Sequence, residues 1–410
     1  MGGPIMKRIT TVIAGAVALA SLLASSGAWA TSARKSSVLG NFLIEDDTDI
    51  FLWPGVMPLY TNGIFLDVEV TQFDGNGGFL AEKGIVFGAF FHRPEPFLNG
   101  AGIPSDFQEI ESLYAGVDMS DPFKLFDIML AFPIGEWHAF GLGVSFAHSL
   151  DVNEIDGDVQ TGERTMAAGL TLGFTSGLGG RIQNDLGVEI RFNYFKEIGP
   201  DPMTGNPEQL YKGKPIPCFT LVDRLTIRKE GFFAWGLDFM LSRRDYGAEV
   251  GTADGSASRY IVGFQTGPRL TFIDRILVAA SLQVMYDAYG GELDPAVGLT
   301  EPMGWQHNFA VPGFNLATEI TIFKWLHVRA SFDYTYMLSL YALSDHPVSP
   351  DERNQTASQQ FLWSVGLGIH HKGIGLDAVF SAPLFHDGPD FVGGRSPGMF
   401  SMVSLSYVFE

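Results

Sequence analysis

The 410-residue chain carries a formal charge of −20, 46% hydrophobic residues, 49 glycines, 34 phenylalanines and one cysteine. That acidic balance excludes nucleic acid as a partner, because neutralising phosphates needs clusters of Lys and Arg that are missing here. With Cys218 alone, an intrachain disulfide is excluded as well.

Residues 1–30 read as a cleavable secretory signal: a basic start at Lys7 and Arg8, an apolar run from Val12 to Leu23, and small residues ending in Ala28-Trp29-Ala30. The run is too short for a retained helix, which needs about 20 apolar residues to cross a bilayer. The mature chain is expected to begin near Thr31, and no cysteine follows the cleavage site to take a lipid. Beyond the signal no stretch reaches about 18 consecutive apolar residues, which excludes a helical membrane protein.

Residues 31–62 precede the first strand-like segment and contain Glu45-Asp46-Asp47-Thr48-Asp49 followed by Ile50-Phe51-Leu52-Trp53-Pro54-Gly55. Charge and apolar bulk stand side by side there. This suits a segment folded inside a barrel, its acids paired with inward Arg191, Arg224, Arg228 or Arg329; an ordinary periplasmic tail is the other reading.

From residue 63 to the end, segment after segment is apolar on one parity and small or charged on the other. Ile64, Leu66, Val68 and Val70 stand against Asp67, Glu69 and Thr71, and Val188, Ile190 and Phe192 against Glu189, Arg191 and Asn193. Successive side chains of a strand point to opposite faces, so each segment has one greasy and one wet side. Many segments reach the 9–11 residues of a tilted membrane strand. The wet side is rich in Gly and Ser, as at Gly141, Gly143 and Ser145 or Ser364, Gly366 and Gly368, which makes a poor core for a soluble sandwich.

Short turns, such as Pro133–Glu136 and Lys372, alternate with long polar stretches predicted as loops, such as His148–Gly162, Lys196–Pro217 and Arg243–Ala257. Outer-membrane barrels connect their strands in this way, with an even strand number. The sequence therefore predicts an all-β fold: a transmembrane antiparallel β-barrel of about sixteen strands, or fourteen as the fallback, over residues 63–410, with a short amino-terminal plug. The last segment ends in Tyr407 and Phe409, resembling the terminal signal recognised by barrel-insertion machinery.

The acidic run, the aromatic and Pro54 resemble the amino-terminal hatch of the long-chain fatty-acid transporter (FadL-like) family of outer-membrane barrels. Trp53 stands where that family has Asn, and Gly55 where it has Ala. The resemblance implies a plug inside the lumen and a route for hydrophobic compounds, with Asp46, Asp47, Asp49, Phe51, Trp53 and Pro54 as candidate plug and substrate residues.

Inward charges on the strands, namely Asp67, Glu69, Glu189, Arg191, Asp238, Glu319, Arg329 and Asp333, are expected to form a satisfied network filling the lumen. Gly267-Pro268 interrupts a strand and marks either a lateral exit of the kind the resembled family implies or a bulge near the rim. Gly394-Arg395-Ser396-Pro397-Gly398 has the G-x-S-x-G spacing of a nucleophilic serine, but Pro397 blocks the helix that would follow, so it reads as a turn. The histidines show no metal-ligand spacing. No enzyme, cofactor or metal is expected.

The function expected is an outer-membrane channel or transporter for hydrophobic small molecules. Its surroundings would be outer-membrane lipid and lipopolysaccharide. A general porin and a non-transporting barrel accessory to secretion or assembly are the alternatives.

Overall fold

The computed structural model describes residues 32–60, 62–69, 74–91, 123–155, 158–200, 207–229, 232–250, 253–273, 275–293, 305–342, 353–380 and 400–409, some at strand ends by their backbone alone. The predicted signal, the cleavage site and residues 394–398 lie outside the described residues. A six-residue helix α1 (Ser32–Ser37) and two 3-10 helices (Asp47–Phe51 and Pro54–Leu59) come first. Seventeen strands follow: β1 (Gly63–Glu69), β2 (Asp74–Glu82), β3 (Val86–Phe91), β4 (Phe123–Ile134), β5 (His138–Ile155), β6 (Asp158–Ser176), β7 (Ile182–Pro200), β8 (Pro207–Lys214), β9 (Pro217–Lys229), β10 (Phe233–Val250), β11 (Ala253–Phe272), β12 (Ile276–Leu293), β13 (Trp305–Phe323), β14 (Leu326–Ala342), β15 (Arg353–His371), β16 (Ile374–Phe380) and β17 (Phe400–Val408).

All belong to one antiparallel sheet, and β1 pairs with β17, Gly63 opposite Val408, so the sheet closes on itself. Both β8 and β9 pair with β7 and with β10 and lie end to end in a single place in the wall. The seventeen segments thus make sixteen wall strands, as the alternation predicts. The turn predicted at Lys372 is a two-residue hairpin in which Lys372 and Gly373 both take positive φ (48° and 82°), the mirror-image geometry that suits the twist of flanking strands.

The predicted long loops are largely strand. Pairing in the β5–β6 hairpin runs up to Ile155 opposite Asp158, and in β10–β11 up to Val250 opposite Ala253. The reason is physical: a ladder can continue past the lipid, where neither face needs apolar residues. The alternation that announces a strand therefore stops before the strand does.

Ile64, Leu66 and Val68 stand outward, Ile64 half exposed at 50%, while Asp67 between them is buried. The same holds round the wall, with outward Phe140, Phe174, Phe192, Trp235, Leu282 and Phe361 all exposed. Trp137 and Trp325 mark the short-turn end of this belt, where Trp325 stacks on Phe323. Tyr260, Tyr286, Trp305 and His307 stack at its other end. Amphipathic rings of this kind settle at the two interfaces of a bilayer. On β13 the parity switches at Val311-Pro312, both exposed, where three residue steps on β13 match two on β14. The extra residue is a bulge that restores the inward face from Gly313 onward.

Inside, the wall is not bare. Ile50, Trp53, Val56 and Met57 of the amino-terminal segment pack against Leu80, Val86, Phe90, Met129, Ala131 and Val222. Val38, Phe42, Leu43 and Ile44 form a second cluster with Ala279 and Ala317. Burying each large apolar side chain stabilises by about 1.5–3 kcal/mol. Two such anchors, on opposite arcs of the wall, hold residues 32–60 to its inner surface.

Candidate functional site

Residues 32–60 meet the inner face of the barrel near its short-turn end. Glycines provide the room. Gly141, Gly173 and Gly187 face one another across β5, β6 and β7 in a single row. A Cβ on Gly173 would stand 2.6 Å from Pro54 Cδ, one on Gly141 would collide with the backbone of Pro54 and Gly55, and one on Gly187 with the carbonyl oxygen of Leu52. Gly236 seats Leu43 and Gly366 seats Ser37 in the same manner. The inward glycines that make a poor core by sequence are the places where the segment touches the wall.

Charge fixes the segment's orientation. Arg224, 2% exposed, reaches Asp49 at 2.5 Å and Asp185 at 2.9 Å, and its guanidinium lies 4.2 Å from the centroid of the Trp53 ring. Lys35 meets the other side of Asp49 at 3.0 Å. Burial alone would raise the Asp49 carboxyl, but Lys35 and Arg224 outweigh it and hold it below its usual range. Arg228 pairs with Glu45, and Arg269 donates to the Leu43 carbonyl.

Farther round the wall, on β13, Arg34 donates to Glu319 at 2.9 Å. Glu319 also accepts from Arg329 at 2.6 Å, and Arg329 reaches Asp377 at 2.5 Å. His370 Nε2 lies 3.0 Å from the same Asp377. Polar contacts complete this side: Ala33 N–H donates to Ser404, Asn41 to Asn315, and Ser331 to the Ser37 carbonyl.

The predicted residues therefore divide. Asp46 caps the first 3-10 helix by accepting from the Thr48 N–H, and the Asp49 carboxylate accepts from the Asp46 N–H in return. Phe51 meets Phe90 edge-on with centroids 4.8 Å apart, and Trp53 and Pro54 sit as described. Glu319 and Arg329 join the network around α1. Glu189 and Arg191 pair with each other at 2.7 Å higher on β7, and Asp333 accepts from Asn315 and Thr335. Asp238 lies opposite Arg224 in register, with one oxygen unpartnered. Glu69 is placed by its backbone only.

Gly267 and Pro268 have partners on β10 but none on β12, where pairing skips from Thr266–Leu282 to Arg269–Ala279. The backbone of Ala280 presses directly on Gly267, so the two strands stay in close contact at this break in the ladder.

Arg34, Lys35, Asp185 and Asp377 escaped the sequence reading. The one available signal was that Arg34 and Lys35 are the only cations between Thr31 and Asn62. Among the described residues no cluster of three or more His, Cys, Asp or Glu is arranged to hold a metal.

Asp47 differs from its neighbours. It is 4% exposed and neither carboxylate oxygen has a hydrogen-bond partner. Burial, and then the Asp46 carboxylate beside it, push its carboxyl well above the ordinary 3.8. A group raised on folding holds a proton that the unfolded chain releases, so above pH 3.8 each step in pH costs stability until the folded value is passed. Asp47→Asn should therefore raise the apparent unfolding temperature in nonionic micelles at pH 7–8, by the equivalent of about 1–3 kcal/mol. The gain should vanish as the pH falls towards 4; a gain that is the same at both ends would contradict the assignment.

Closed pairing, an outward apolar belt, two aromatic girdles and a polar, glycine-rich inner face define the class: a membrane-spanning antiparallel barrel of sixteen strands, with its own amino-terminal segment docked against the inner wall. No protein-family model and no curated protein matches the chain. Among solved structures it is similar to the toluene transporter TodX of Pseudomonas putida, at 11% identity over 94% of this chain and 97% of that one, with a TM-score of 0.39. It is also similar to the ferric-catecholate import receptor Fiu of E. coli K12 in its open form (11% identity, 79% and 55% covered, TM-score 0.39). A third similarity is to the ferric yersiniabactin uptake receptor FyuA of Yersinia pestis (11%, 78% and 53%, 0.40). The chain spans little more than half the length of the two iron receptors.

Proposed function

We propose that the chain is an outer-membrane transporter for hydrophobic small molecules whose lumen is plugged near the periplasmic end by residues 32–60. The supporting observation is the docking itself: the Arg224–Asp49 ion pair on β9 and the Ala33 N–H bond to Ser404 on β17, on opposite sides of the wall, tie one short segment across the bore. A general porin needs an unobstructed water path and has no use for such a tie. Apolar and aromatic side chains of the segment, Ile50 and Phe51, line a small cavity with Phe65 and Phe90 of the wall, the greasy surface that a hydrophobic solute needs. The hatch resemblance over Glu45–Gly55 agrees with this reading. In it, the short turns face the periplasm, the strands that rise past the lipid face outward to lipopolysaccharide, and the Tyr407–Phe409 end serves the insertion machinery.

Conductance in planar bilayers tests the plug. The intact protein should pass little steady ion current, and deletion of residues 31–60 should give steady openings. A wild-type protein that conducts continuously would end the plugged-carrier reading.

A further inference from the structure

Arg224 stands in the wall between two carboxyl groups. In register, Asp185 of β7 lies opposite it on one side and Asp238 of β10 on the other, so the three residues share one level. Asp238 is on the same face of β10 as buried Ala234 and Ser242, the face turned to the lumen. Directly opposite residues on neighbouring strands have Cβ atoms about 4.5–5.5 Å apart. The two acids are furnished differently. Asp185 accepts from Thr175 Oγ1 at 3.0 Å, from Gln183 Nε2 at 2.9 Å and from Arg224 Nε at 3.0 Å. Asp238 has a buried Oδ1 with no hydrogen-bond partner.

The docked segment holds Arg224 away from Asp238. Arg224 turns Nη1 to Asp49 at 2.5 Å, and the Trp53 ring lies 4.2 Å from the guanidinium. Asp49 and Trp53 both belong to residues 32–60 and depart together when the segment departs. Lys35 goes with them and remains the counter-charge of Asp49. Arg224 then keeps Asp185 through Nε and Nη2, but its Nη1 has lost its acceptor and the place of the Trp53 ring is open. Asp238, one strand away, is the carboxyl group that this nitrogen can reach.

An acid without a hydrogen bond beside a shared cation has two readings. As a plain burial cost, it acts whether or not Arg224 is present. As a reserve partner, it acts only through Arg224: an N–H passed from one carboxylate to another loses less than an N–H left with none. Register favours the second reading. Asp238 faces Arg224 directly, and its neighbour on the other side, Gln265 of β11, is neutral.

We propose that Asp238 is the reserve partner of Arg224: as residues 32–60 undock, Nη1 passes from Asp49 to Asp238, and the segment leaves without abandoning a buried charge. The exchange needs Asp238 ionised only once the guanidinium stands against it. It makes the segment a latch with two positions, and it rests on the plugged reading above.

Hydrogen–deuterium exchange of peptides from residues 32–60 tests it, in the full-length protein in nonionic micelles at pH 8, because exchange reports how often a segment opens. Asp238→Asn should slow their exchange about tenfold, the contribution of one charge-assisted hydrogen bond. Asp238→Glu should keep the wild-type rate. In an Arg224→Met, Asp185→Asn background, which has no guanidinium to receive, Asp238→Asn should change nothing. Equal slowing in both backgrounds would overturn the exchange and make Asp238 a plain burial cost. An unchanged or faster rate on substituting Asp238 alone would overturn it as well. If Asp238→Asn fails to assemble, Asp238→Ser makes the same comparison. The measurement uses neither cargo nor current, so failure here leaves the conductance test of the plug standing.

Discussion

Replacing Arg224 with methionine should release the amino-terminal segment and raise steady conductance from near zero to resolvable, long-lived openings. Arg224 is heavily engaged at the docking surface: it meets Asp49, Asp185 and the Trp53 ring, and it is almost wholly buried. Methionine keeps the length and apolar stem but leaves buried Asp185 without a counter-charge and Asp49 with Lys35 alone. Breaking a buried pair from one side costs about 3–5 kcal/mol. That cost falls on the docked state, because with the segment displaced Asp49 and Asp185 can both reach water. The barrel's ladder of backbone bonds is untouched, so the variant should still show the heat-shifted gel mobility of a folded barrel.

Limited proteolysis of the purified variant should nick residues 32–60, which wild type protects. Adding Asp185→Asn to the methionine variant should restore much of the protection, since the carboxylate left without a cation is then gone and Asp49 keeps Lys35. If the methionine variant stays non-conducting and protease-resistant, the ion pairs do not hold the segment and its apolar clusters do.

How much of this is legible in the sequence depends on the range of the interaction. A strand's two faces are written in neighbouring residues, so the belt at Ile64, Leu66 and Val68, the turn at Lys372 and the sixteen-strand count all follow from local pattern. The upper ends of β5, β6, β10 and β11 do not, because a ladder standing in water has no apolar face to announce it. Contacts of the segment are more distant still. Arg224 is 175 positions from Asp49, and Glu319 is 285 from Arg34. Composition shows that acids and arginines are both present, but only the register of the wall decides which pairs form. Arg329 illustrates this: it faces inward as expected, yet it spends its charge on Glu319 and Asp377 and none on the acids of Glu45–Asp49.

Gly141 and Gly143 make the sharpest contrast, and one methyl group on each should give opposite results. They lie two residues apart on β5 and face the same way. A Cβ on Gly143 would have nothing nearer than 3.6 Å, an ordinary contact with Met129 and Thr171. On Gly141 it would meet the Pro54 carbonyl group and the Gly55 nitrogen, which are backbone atoms with no rotamer to escape into. Overpacking of this kind costs about 1–3 kcal/mol, and more where the neighbour cannot move. The wall strand is tied on both sides, to β4 through Ala131 and to β6 through Gly173, so it is the segment that must yield. Gly141→Ala should therefore give steady conductance and an exposed segment, and Gly143→Ala should behave as wild type in both assays. Equal behaviour of the two variants would mean that residues 52–55 do not rest on the glycine row, and the docked position of the whole segment would have to be abandoned.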